Sequence, residues 1–66
     1  MTVRYDDEVD AAYIQLSSKR PNGAIEVKAG VIVHVANKDE IVGIEILKAS
    51  ERFPIRNLHH LQFVTH

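Results

Sequence analysis

The side chains in this 66-residue sequence best equipped for chemistry are four histidines, His34, His59, His60 and His66, and one carboxylate set among apolar strand residues, Glu45. Imidazole and carboxylate together can run acid–base catalysis or hold a metal that activates water. Spacing speaks against a metal. Histidines that share a helix face stand four apart, whereas the adjacent His59 and His60 point about 100° away from each other. Closed zinc sites also need four convergent ligands. The acidic run Asp6, Asp7, Glu8, Asp10 has oxygen donors suited to calcium or magnesium, but lacks the alternating ligands, glycine and distal glutamate of a calcium loop. It reads instead as a solvated turn, with Asp6 capping one helical turn and the following carboxylates favoured at its N-terminus. Ser17, Ser18 and Ser50 have no Gly-x-Ser-x-Gly elbow around them. The expectation is no catalytic residue, no cofactor and no metal. The alternative is a small metal-dependent or acid–base enzyme using Glu45 with His34 or the C-terminal histidines.

Composition narrows the setting. The absence of cysteine removes a disulfide framework and a thiolate zinc site together, and suits a reducing cytoplasm. No charged and apolar N-terminal leader is visible and no apolar run approaches bilayer length, so the expectation is a cytoplasmic protein with no membrane partner. Eight basic and nine acidic side chains give a net charge of −1, and the basic ones are scattered. A nucleic-acid partner is therefore not expected, because phosphate neutralisation needs a basic stripe. Tyr13 with Lys19 and Arg20 comes nearest to a stacking platform for single strands, which leaves weak single-stranded nucleic-acid binding as a second alternative.

These side chains must be positioned by strands. Two β-branched runs, Val31–Ala36 and Ile41–Leu47, flank one polar break and predict a hairpin. Alternation predicts three further strands, giving spans at 2–5, 11–17, 24–28, 31–36 and 41–47, paired consecutively. Asn22-Gly23 and Ala29-Gly30 are turn residues that accept a positive φ. One face of such a sheet would carry the core: Val3, Tyr5, Ala12, Ile14, Leu16, Ile25, Val27, Val31, Val33, Val35, Val42, Ile44 and Ile46. The other face is mixed, with Ile32, His34, Ile41, Gly43, Glu45 and Leu47, so something should cover part of it. Residues 49–53 suit a short helical turn, Pro54 breaks or restarts it, and Ile55, Leu58 and Leu61 recur at helical spacing. The fold class expected is mainly β (α+β): one small domain over residues 1–66, with a five-stranded antiparallel meander at 1–48 and a C-terminal helical or extended segment at 49–66.

Tyr5-Asp6, Glu8, Asp10-Ala11-Ala12-Tyr13-Ile14, Gly30-Val31-Ile32, Val42-Gly43-Ile44-Glu45-Ile46-Leu47 and Ala49-Ser50 occur in an order and spacing that resembles the small bacterial and archaeal proteins grouped as domain of unknown function 2283. The resemblance implies a compact antiparallel meander with a short helix in a prokaryotic cytoplasm, and transfers no catalytic residue. Members are similar in scale to antitoxin or accessory components encoded beside compact nuclease-like toxins. The chain departs from the family's pattern at His34 and Ala36, where acids are common, and at Asp39, which takes the place of a turn glycine and tolerates the left-handed conformation.

A chain this short sits near the limit of self-sufficient burial. Ile32, Ile41, Leu47, Phe53, Leu58, Leu61 and Phe63 are more apolar side chains than one small sheet can cover on its second face. They form the expected interaction surface, for a homo-dimer or higher oligomer or for a genomically adjacent small protein.

Overall fold

The computed structural model describes residues 1–37 and 39–60, with the side chains of His59 and His60 outside that description. Five strands, β1 (Thr2–Asp6), β2 (Ala11–Gln15), β3 (Gly23–Lys28), β4 (Val31–Ala36) and β5 (Glu40–Leu47), form one antiparallel sheet. Period-two alternation located each of them to within two residues. The alternation is a local property, set by which side chains the pleat sends to which face.

Strand order is not local, and here the expected consecutive pairing is corrected. The order is β1-β2-β5-β4-β3, so β2 pairs with β5 rather than β3. Residues 16–22 carry the chain across the ends of β5 and β4. Three interstrand spacings amount to about 14 Å, which seven residues span easily. The crossing is fastened at both ends: the Leu16 and Ser17 amides donate to the Val42 carbonyl (2.7 and 3.0 Å), and the Asn22 amide donates to the Val35 carbonyl at 2.9 Å. Lys19 Nζ lies 2.7 Å from Glu40 Oε1 above it.

Several turns also differ from expectation. Residues 7–10 form a turn without helix, in which Asp6 Oδ1 accepts the Glu8 amide at 3.0 Å. Gly23 opens β3 in ordinary backbone, whereas Gly30 takes φ 79° at the β3–β4 turn. In the β4–β5 turn Asn37 takes the left-handed conformation (φ 56°), because the chain reverses directly after β4. The C-terminal helix is reduced to two 3₁₀ turns, Ala49–Glu51 and Ile55–His60. Pro54 separates them, and neither piece is long enough to settle into α geometry. Leu61 to His66 lie outside the described residues.

Register assigns the faces. Val3 opposes Ile14, Ile14 opposes Ile44, and Ile44 opposes Val33, which opposes Ile25, so these five share one face. The expected core is only partly realised there. Among the described residues the buried hydrophobic ones are Ala12, Ala36, Val42 and Ala49, and no large side chain is fully buried. Leu16, Ile25 and Val27, expected inside, are exposed. Ile25 and Val27 belong to β3, an edge strand whose six residues are all exposed.

Candidate functional site

The opposite face gathers polar groups at its centre. Arg4 opposes Tyr13, Tyr13 opposes Glu45, and His34 and Gln15 both oppose Gly43. Gly43 lets the group close up. With no Cβ on β5 at that point, the Tyr13 ring leans across the strand onto its backbone, so that a Cβ on Gly43 would overlap the Tyr13 hydroxyl and stand 2.9 Å from the Ile14 carbonyl oxygen. From there the ring meets His34 edge to face, centroids 5.6 Å apart at 65°. The Arg4 guanidinium sits over the same ring, 5.5 Å from its centroid.

His34 Nε2 lies 3.1 Å from Glu45 Oε1, and both side chains are partly exposed. An ionised carboxylate can only accept, so Nε2 carries the hydrogen and donates; in the neutral ring Nδ1 is then left as an acceptor. The pairing brings together two of the side chains named in the enzyme alternative, as a cross-strand pair between β4 and β5. Among the described residues no three histidine, aspartate or glutamate side chains converge to hold a metal. A groove of about 780 Å³ runs beside the group toward β1 and the following turn, lined by Arg4, Asp7, Glu8, Tyr13, His34 and Glu45 among others.

A second cluster ties the ends of β1, β2 and β5 together. Asp10 Oδ1 accepts the Tyr5 hydroxyl at 2.7 Å and the Ser50 amide at 3.0 Å, while its Oδ2 accepts the Ser50 hydroxyl at 2.7 Å. The Asp10 carbonyl takes the Ala49 amide at 2.9 Å. Hydrogen bonds from Ser50 and then Tyr5 hold the Asp10 carboxyl below its usual pKa against a smaller opposing effect of burial. The same bond to Asp10 is the main reason the Tyr5 phenol is raised above 10.0, with burial and the neighbouring carboxylates adding to it. Asp10 and Lys48, which flank this junction, both adopt left-handed backbone (φ 54° and 52°). Arg52 Nη2 fastens the next turn by donating to the Ala29 carbonyl.

The residues singled out in the sequence are distributed unevenly over these features. His34 and Glu45 meet. Of the expected interaction surface, Ile41 and Leu47 are exposed, and Ile32, Phe53 and Leu58 are half-buried. Leu61, Phe63 and His66 lie outside the described residues. The surface is not gathered on one face: a bulge between His34 and Val35 shifts the register so that Ile41 opposes Val35, while Ile32 opposes Glu45. Tyr13 is partnered by Arg4, not by Lys19 or Arg20, because Lys19 is engaged by Glu40 in the crossing loop. Arg4 was not singled out at all. Alternation alone puts it on the face of Tyr13, but the group becomes visible only once β5 lies beside β2.

These features define a small all-β protein with one five-stranded sheet, capped at one end by a hydrogen-bonded junction. The chain belongs to the family described as Protein of unknown function (DUF2283), which it matches over residues 2–50. No curated protein and no solved structure matches it. Both clusters fall within the matched span: Tyr5, Asp10 and Ser50 in the junction, and Tyr13, Gly43 and Glu45 on the polar face.

Proposed function

We propose that the protein is an interaction module whose first partner is a second copy of itself. One observation carries this reading: among the described residues the buried hydrophobic positions are small or medium in size, while Leu16, Ile25, Val27 and Ile41 stand exposed. Ile25 and Ile41 oppose Val33 and Val35, so they widen the apolar face rather than scatter over the surface. The molecule measures 32 × 30 Å across. That is commensurate with the ~800 Å² per partner of an ordinary stable interface. A two-fold axis would set the same patch against itself and complete a core that one chain leaves open. The cysteine-free composition supports a cytoplasmic setting for such a dimer.

Light scattering and sedimentation at micromolar concentration test the reading. A dimer is expected, with Ile25→Lys and Val27→Lys together giving a monomer that keeps its β-sheet circular dichroism. A wild-type protein that stays monomeric up to millimolar concentration overturns it.

A further inference from the structure

We propose that the groove on the polar face, together with the outer edge of β1, binds an extended basic segment of a partner protein. The site is independent of self-association, because it lies on the face opposite Val33 and Ile44. Two observations converge on it. β1 ends the sheet, so among the described residues no strand lies on its outer side and its backbone groups there can pair with an added strand. The groove opens beside that same strand, lined by Arg4 and Asp6 from β1 itself and reaching Tyr13, His34 and Glu45 on the neighbouring strands.

Charge selects the occupant. Asp6, Asp7, Glu8 and Glu45 line the groove against one guanidinium, that of Arg4, which is already turned onto Tyr13. The salt bridges among the described residues join Lys19 to Glu40 and His34 to Glu45, so none of the described cations is paired with Asp6, Asp7 or Glu8. A strand added to β1 would send alternate side chains over the groove. Arginines at those alternate positions would meet the carboxylates with forked hydrogen bonds. A phosphate-rich partner would meet the same carboxylates as repulsion.

The test titrates the isotope-labelled full-length protein with a blocked peptide that alternates arginine and threonine, and with its glutamate-for-arginine counterpart. Saturable shifts are expected in the backbone amides of Val3 to Tyr5 and of Tyr13, His34 and Glu45, weakening as salt is raised. Glu45→Gln should reduce the affinity about tenfold, a loss typical of removing one charge-assisted contact. Should that variant lose its fold, the map of shifts on the wild-type protein decides alone. The proposal is overturned by shifts confined to other surfaces, by no saturation at millimolar peptide, by equal binding of the glutamate peptide, or by tighter binding of single-stranded RNA to the same amides.

Discussion

The ring of Tyr13 occupies the space that a side chain on Gly43 would need, which binds the identity of one residue on β2 to that of another on β5. Gly43→Ala should therefore destabilise the fold by about 1–3 kcal/mol, the usual cost of overpacking, measured by urea denaturation. Tyr13→Ala in the same background should recover part of that loss. A double-mutant cycle with no coupling between the two positions would contradict the contact.

Acid should loosen the junction at Asp10. Its carboxyl has a lower pKa folded than unfolded, so the unfolded chain takes up the proton first. The stabilisation is complete above the unfolded value, about 3.9, and is lost as pH falls from there through the folded value. Thermal melts of wild type and Asp10→Asn should differ most near neutrality and converge on acidification. The Asp10 carboxyl resonance should titrate below 3.8. Tyr5 works in the opposite range: its raised pKa means that its contribution holds below about 10 and disappears as pH rises through the folded value.

Buried and exposed apolar positions should answer differently to substitution. Ala12 is fully buried, opposed by Tyr5 and Ile46, so Ala12→Leu should cost about 1–3 kcal/mol in a denaturation experiment. Ile25 is 55% exposed in the single chain. Ile25→Ala should leave the stability of the monomer within about 1 kcal/mol while weakening dimerisation, as read by sedimentation.

The crossing loop should depend on its backbone more than on its ion pair. Lys19 is exposed and Glu40 partly so, and Lys19→Ala should change stability by less than about 1 kcal/mol. Asn22→Pro removes the amide that donates to Val35 and should cost more than Lys19→Ala in the same urea assay.

How much of this was legible in the sequence follows from the range over which each feature is decided. Five strands, their approximate ends and the alternation of their faces are set by neighbours along the chain, and the residues alone determined them. Glu45 and His34 were recognisable as the side chains with chemistry to offer. Whether β3 folds back on β2 or crosses to the far edge depends on which surface β2 finds to pair with. A loop of seven residues permits either outcome, so only the tertiary structure decided that β5 takes that place. The polar face follows from that one choice: with β5 beside β2, Tyr13 reaches Gly43 and Glu45, and the β4–β5 register brings His34 within hydrogen-bonding distance of Glu45. The same holds for the core. Alternation assigned Ile25 to the face of Val33, but it could not see the bulge between Glu26 and Lys28 that takes Val27 out of register. Burial is a property of what lies above a face, which on an edge strand of a single chain nothing in the local pattern supplies.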